Sequence, residues 1–351
     1  MNNKKRDISI DIMKGILIIS VVVAHSRFTY RRIFYWFHMP LFFIISGCLL
    51  KLPEKGAERQ WIKRRAEYLL VPYCSFAFVI GLCKLPNGIK EVMKYWLKIL
   101  YGGKAAPGVY WFVTVLFLSQ VLIVYLYQRL NSGKSVLLIA VAMYFTAILE
   151  SCLLIPPFTI QVPTYTKLPW NMDVCLLAVP YILIGYWVGN HREFLCQKKN
   201  GISKFIRIMI LTGITMALVL GLYFSNAVQW LILDMKYSQY KNPVLDIIIP
   251  IVVGILLFFI SNAIKTSRVG YCLAYVGRSS MFIIYVHIII RDRFVIPIMG
   301  NDYSIVLYVV SVIVISSILE KLLLYAPPAV GRFFGVHRAA ARSSDSLYSQ
   351  H

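Results

Sequence analysis

Apolar residues along this chain come in long unbroken runs rather than in the alternation of a half-buried strand or the one-sided stripe of a soluble helix. The run from Val244 to Ile264 offers its surroundings almost nothing polar. At 1.5 Å per residue, about twenty such residues cross the roughly 30 Å hydrocarbon core of a bilayer. Runs of this kind fall at roughly 8–26, 33–50, 68–83, 110–128, 135–155, 174–190, 205–224, 244–262, 271–290 and 303–325. They predict an all-α fold, a polytopic transmembrane helical bundle of about ten spans. The segment 84–109 has a different pattern. Lys90, Lys94 and Lys98 recur every four residues while Val92, Met93, Trp96, Ile99 and Leu100 supply apolar bulk, which predicts an amphipathic helix lying in the membrane interface. No internal repeat, low-complexity tract or inverted pair of broken helices of the transporter kind is visible. A single transmembrane domain over 1–338 is expected, with a disordered cytoplasmic tail at 339–351.

Composition agrees: 59% of residues are hydrophobic and 15% charged, and the charges sit between the apolar runs. A net charge of +22 raises nucleic acid as a partner, but Lys and Arg are scattered over many short loops with no soluble domain to gather them. Topology explains the excess better. With the N-terminus inside, 21 of the 37 Lys and Arg fall on the cytoplasmic side and 13 outside, five of these in 84–109. This predicts a multi-pass protein of the cell membrane, in contact with its lipids, with both termini cytoplasmic. Cys48, Cys74, Cys152, Cys175 and Cys272 lie within apolar runs and lack zinc-site or redox spacing, so neither a disulfide framework nor a metal centre is expected. The start, MNNKKR before an apolar stretch, has the outline of a signal peptide, but Asp7, Asp11 and Lys14 interrupt it and no small-residue cleavage site follows. An uncleaved first span is expected.

An ionisable side chain inside a span is costly, so each is a functional candidate weighed against snorkelling or a structural role. The first span holds Asp11, Lys14 and His25. Lys14 and His25 are eleven residues apart, about three turns, so they share a face and stand roughly 16 Å apart along the axis. Asp11 lies three residues before Lys14, where it can pair with it. Under the N-inside topology His25 falls near the external side. So do His38, which opens the second span, and His287, near the end of the ninth. One such histidine is most often structural, but three meeting at one depth point to use. Trp111 with Phe112, and Trp170 with Asp173, enter their spans at the same side, where an interfacial belt explains tryptophan equally well.

Several strings then resemble the acyltransferase 3 family of integral membrane acyltransferases, nearest its fucose acetylase-like, polysaccharide-modifying branch. RDISIDIMKGILIISVVVAHS resembles the family's first span, whose hallmark is a basic residue and a histidine separated by ten residues, here Lys14 and His25. FHMPLFFIISG, Phe37 to Gly47, is similar to the second span and is the most specific match. IKRRAEYLLVPY resembles the basic cytoplasmic loop before span three, LPWNMDVCLLAVPYILIGY span six, and VGRSSMFIIYVH, ending at His287, span nine. Two departures stand out: Lys14 where the family more often has Arg, and Tyr68 where it often has a second Arg. The short form, without an extracytoplasmic hydrolase-like domain, is expected.

The resemblance implies an O-acetyltransferase with no permanently bound cofactor. Its donor would be acyl-CoA, acetyl-CoA in the first instance, and its acceptor a carbohydrate hydroxyl of a surface or exported glycan. Lys14, Lys63, Arg64 and Arg65 would meet the donor's phosphates, and His25, with Lys14 and Asp11, would carry the chemistry. A neutral imidazole, with an ordinary pKa of about 6.5, suits proton removal from an attacking hydroxyl. Whether His25 is acylated first stays open. His38 ranks first as oxyanion donor, ahead of Tyr285 or a backbone N–H near Ser46 and Gly47. His287, Tyr285, Trp111 and Asp173 would bind or support the acceptor. The rival class is a proton-coupled exporter of glycans or lipid-linked sugars, in which the same groups relay protons. A three-histidine metal site is a weaker rival, lacking a matching carboxylate beyond Asp173.

Overall fold

The computed structural model describes residues 7–130, 132–155, 168–191, 201–224 and 233–336. The tail expected at 339–351 lies outside them. Asp7 opens the first helix, α1 (Ile8–Ala24), by accepting the Ser9 amide at 3.0 Å. There follow α2 (Arg32–Tyr35), α3 (His38–Cys48), α4 (Glu58–Leu82), α5 (Ile89–Tyr101), α6 (Tyr110–Leu130), α7 (Gly133–Leu154), α8 (Cys175–Asn190) and α9 (Gly201–Phe224). A two-stranded hairpin, β1 (Leu233–Asp234) with β2 (Gln239–Tyr240), precedes α10 (Leu245–Ile264). Then come α11 (Arg268–Arg278), α12 (Ser280–Ile290), α13 (Ile296–Met299), α14 (Ile305–Tyr325) and α15 (Pro328–Phe333).

Each apolar run of the sequence is helical. Among the described residues six helices are long and apolar enough to cross a membrane, and a seventh span counts if the bent pair beginning with α11 and α12 is taken as one. Large apolar side chains such as Leu138, Leu153 and Val306 stay exposed on the outer faces, as a lipid-facing surface requires. The protein is therefore an all-α, multi-pass helical bundle.

Three elements depart from the sequence reading. The second span, expected over 33–50, is broken: α2 ends at Tyr35 and α3 starts at His38. Pro40 is the reason. In a continuous helix it would lack an N–H for the Trp36 carbonyl and its ring would clash there, whereas the first turn of a new helix accepts it. The ninth span, expected over 271–290, bends by 80° between α11 and α12, at Ser279, whose hydroxyl donates to Glu320 of α14. The chain thus has two broken helices where the sequence showed none. The basic segment 51–67, expected as a loop, is helical from Glu58 onward.

Glycines set the closest helix crossings. A Cβ on Gly15 would stand 2.1 Å from the Leu273 carbonyl oxygen and one on Gly277 1.8 Å from that of Asp11, so α1 and α11 touch backbone to backbone. Gly47 and Gly185 do the same for α3 and α8, with approaches of 1.9 Å and 1.8 Å to the Ile182 and Ile44 carbonyls. The amphipathic helix expected in 84–109 is α5. It buries Val92, Tyr95 and Ile99 and leaves Ile89, Met93, Leu97 and Leu100 exposed, and Tyr73 ties it to α4 through a 2.6 Å bond to the Ile99 carbonyl.

Candidate active site

Helix α1 is the spine of the site, with Lys14 toward one end and His25 at its C-cap. A helix terminus leaves carbonyls without intrahelical partners, and here side chains take them. Tyr35 Oη donates to the Ala24 carbonyl at 3.1 Å, Arg291 Nη1 to that of His25 at 2.5 Å, and Arg31 Nη1 to that of Ser26 at 3.1 Å. Two of the three donors are cations, which the negative end of the helix dipole favours. The His25 ring is fixed as well. Its Nδ1 lies 2.8 Å from the Val21 carbonyl. A carbonyl only accepts, so Nδ1 carries the hydrogen and Nε2 keeps its lone pair.

The histidines expected to converge do so. The ring of His287 lies edge-on to that of His25 at 5.0 Å. His287 Nδ1 donates to the Ile283 carbonyl at 3.1 Å, so its Nε2 also keeps a lone pair. Tyr308 closes over it from α14, its hydroxyl 3.4 Å from the His287 carbonyl. His38, buried in the first turn of α3, lies with its ring tilted 5.5 Å from that of Tyr35, whose ring is 6.4 Å from His25. The break before α3 is what brings His38 here. No group of three or more His, Cys, Asp and Glu that could hold a metal occurs among the described residues.

At the Lys14 end lies a cavity of about 420 Å³. Its mouth carries Lys51, Arg64 and Arg65, its flank Lys14 and Ser46, and its depth Phe112 and Ile284. Ile284 is one turn before His287, so the cavity stops roughly 5 Å short of the histidines along α12. Gln120, wholly buried on α6, accepts from Arg65 Nε at 2.5 Å and donates to Ser46 Oγ at 2.6 Å, tying the arginine to α3. Tyr68 also lines the cavity and lies 5.5 Å beneath the Arg65 guanidinium, a cation–π contact. Of the residues expected here, Lys14, Arg64 and Arg65 line the cavity, whereas Lys63 is exposed on α4 and does not. Asp11 is buried on α1, where its carbonyl meets Gly277.

The remaining expected residues, Asp173, Trp111 and Tyr285, are all buried. Asp173 is ion-paired with Lys104, both side chains only 2% exposed, and accepts a 2.6 Å bond from Ser238 Oγ. The turn that presents it bends through Trp170 and Asn171 at φ 56° and 53°, a left-handed conformation that a bulky residue holds only under constraint. Trp170 Nε1 donates to the Leu100 carbonyl at 3.0 Å, Thr114 donates to the Trp170 carbonyl at 3.2 Å, and Asn171 Nδ2 donates to the Lys236 carbonyl at 3.0 Å. Trp111 is buried one turn before Thr114 and accepts its hydroxyl at 2.9 Å. Tyr285 is buried on α12, stacked on Phe76 at 4.5 Å and 5.5 Å from Tyr110. Sequence reasoning missed Tyr35, Arg291, Lys104 and Gln120. Only Gln120, a lone amide in an apolar run, carried a usable signal.

The polytopic bundle thus carries a histidine pair at one end of a helix and a basic cavity toward the other. Residues 7–321 match the acyltransferase 3 family, described as an acyltransferase domain, and the chain belongs to that family. It is similar to the nodulation protein NolL of Mesorhizobium japonicum, 31% identical over 137 residues, which are 34% of this chain and 35% of NolL. The chain thus matches about a third of that relative's length. No solved structure matches.

Proposed function

We propose that this acyltransferase is a membrane O-acyltransferase that moves an acyl group, acetyl in the first instance, from acyl-CoA to a hydroxyl of a surface or exported glycan. The observation that carries the reading is His25. Its helix end is held by three side chains and its Nε2 lone pair is left for a proton, about three turns from a basic cavity along the same helix. Lys14, Arg64 and Arg65 receive the phosphates of the donor, where guanidinium groups bind bidentately. The pantetheine arm passes Phe112 and Ile284 toward the histidines. The acceptor hydroxyl attacks the thioester carbon as His25 Nε2 takes its proton. A C–O bond forms, the C–S bond breaks, and the imidazolium returns its proton to the leaving thiolate. His38 and His287 flank the reacting carbonyl.

In this reading the bundle spans the cell membrane about ten times, with the Lys14 end and both termini cytoplasmic. Deletion of the gene is expected to remove an ester-linked acetyl from a surface or secreted glycan, read by mass spectrometry before and after mild base. Glycans identical with and without the gene would overturn the reading in favour of an exporter.

A further inference from the structure

Helix α5 presents three faces. Val92, Tyr95 and Ile99 pack against the bundle, and beside them the Trp96 ring stacks at 5.4 Å on Phe78 of α4 while its Nε1 donates to the Ala77 carbonyl at 3.2 Å. Ile89, Met93, Leu97 and Tyr101, each about one turn from the next, stay exposed and form a wall of an open groove of about 540 Å³. Lys90, Lys94 and Lys98 repeat at the same interval and line the same groove. Each lysine directly follows one of the apolar residues in sequence. Consecutive residues stand about 100° apart around a helix, so the row of lysines runs alongside the apolar row for the length of α5.

A lipid-facing surface does not by itself need such a row. Helices α7 and α14 expose Leu149, Leu153, Val306 and Val310, yet α7 carries a single cation, Lys134, and α14 a single cation, Lys321. Nor does the fold use the α5 lysines. Of the three, only Lys94 has an ion pair among the described residues, with Glu91 at 3.6 Å, and both side chains are more than half exposed, which makes the pair weak. An ammonium beside hydrocarbon is costly without an anion. The possible covers of this face differ in charge. A second copy meeting the same face would set lysines against lysines, and a zwitterionic lipid would bring its own ammonium to the row. An anionic phospholipid brings a phosphate with no such opposing charge, and its acyl chain matches the apolar row. The groove shares no residue with the cavity near Lys14.

We propose that the groove along α5 is a binding site for an anionic phospholipid of the membrane, with the headgroup phosphate held by Lys90, Lys94 and Lys98 and an acyl chain laid over Ile89, Met93 and Leu97. Eight residues carry the lysine row over about 12 Å. The flexible four-carbon stems of lysine converge on one headgroup from that span. The inference stands apart from the acyl-transfer reading, since no residue of the groove borders the basic cavity or contacts the histidines.

Full-length protein with the photo-crosslinker p-benzoyl-phenylalanine in place of Leu97, reconstituted into vesicles of equal parts phosphatidylcholine and phosphatidylglycerol, tests this by mass spectrometry of the adducts. Phosphatidylglycerol is expected about fivefold above phosphatidylcholine among them, the order of one lysine–phosphate attraction at a membrane surface. The same probe in place of Val310, an exposed apolar position of α14 with no lysine within two turns, is expected to return the lipids in equal amounts. Lys90→Gln, Lys94→Gln and Lys98→Gln together are expected to abolish the preference at Leu97, and the three corresponding Arg substitutions to keep it. No preference at Leu97, the same preference at Val310, or a preference that survives the three Gln substitutions would each overturn the proposal. A covalent dimer in place of lipid adducts would overturn it too, and assign the face to a second copy.

Discussion

The two ends of α1 are built by opposite rules. Around Lys14 the bundle is hollow, about 420 Å³ bordered by long basic side chains, with tight polar links running from Arg65 through Gln120 to Ser46. Around His25 the space is filled. Three consecutive carbonyls are taken by Tyr35, Arg291 and Arg31, and the imidazole of His287 packs on that of His25 at 5.0 Å. In the proposed acyl transfer, a large charged donor that must enter and leave is served by room and by flexible cations. Reacting atoms need the other treatment, because a misplacement of about 1 Å can cost a hundredfold in rate. The contrast predicts that changes at the filled end act on turnover and changes at the hollow end on donor affinity.

The largest effect is expected at the filled end. His25→Ala is expected to lower acyl transfer about a thousandfold, within the range for loss of a general base, with membrane abundance unchanged because alanine suits an apolar helix. His38→Ala is expected to cost about a hundredfold if its ring stabilises the oxyanion. Glycan acetylation in a complemented deletion strain, alongside immunoblots of membranes, reads both. Normal acetylation by His25→Ala would break the comparison at its centre.

Arg291 tests whether fixing the helix end matters in itself. Arg291→Ala frees the His25 carbonyl without touching the imidazole. A fall in kcat of roughly ten- to a hundredfold is expected, with the KM for acyl-CoA unchanged and partial recovery in Arg291→Lys. Equal losses in kcat and donor KM would mean that the residue supports the fold at large rather than this helix end.

At the hollow end Arg65→Ala is expected to weaken binding of labelled acyl-CoA about tenfold, the order of one hydrogen bond to a charged group. Gln120→Ala, which leaves the guanidinium in place but untied, is expected to cost a few-fold. Lys14→Arg is expected to keep activity, since the cavity flank needs the charge. Unchanged acyl-CoA affinity in Arg65→Ala would detach the cavity from the donor.

How far the site was legible differs residue by residue. Lys14 and His25 could be placed on one face because both sit in a single unbroken helix, where eleven residues make about three turns. His38 was expected in a continuous span, and the break at Pro40 is what sets its ring beside Tyr35. Lys63 was grouped with Arg64 and Arg65 as a donor contact, and the packing of α4 leaves it exposed and outside the cavity lining. Asp173 was read as part of the acceptor site, and its pairing with Lys104, across a separation of 69 residues, was not visible in the sequence.

The sequence by itself determined the class of structure: apolar runs of spanning length must become helices, since lipid leaves no other way to satisfy the backbone. It also determined the spacing of groups along α1, which is local geometry. Tertiary structure alone decided which carbonyls Arg291 and Tyr35 would take and which basic residues border the cavity. These depend on contacts between segments tens to hundreds of residues apart, such as the 266 residues separating Arg291 from His25. Hydropathy fixes which segments enter the membrane. It carries no information on which helix stands beside which, because lipid tails are as apolar as a neighbouring helix and the choice falls to close glycine packing and polar links.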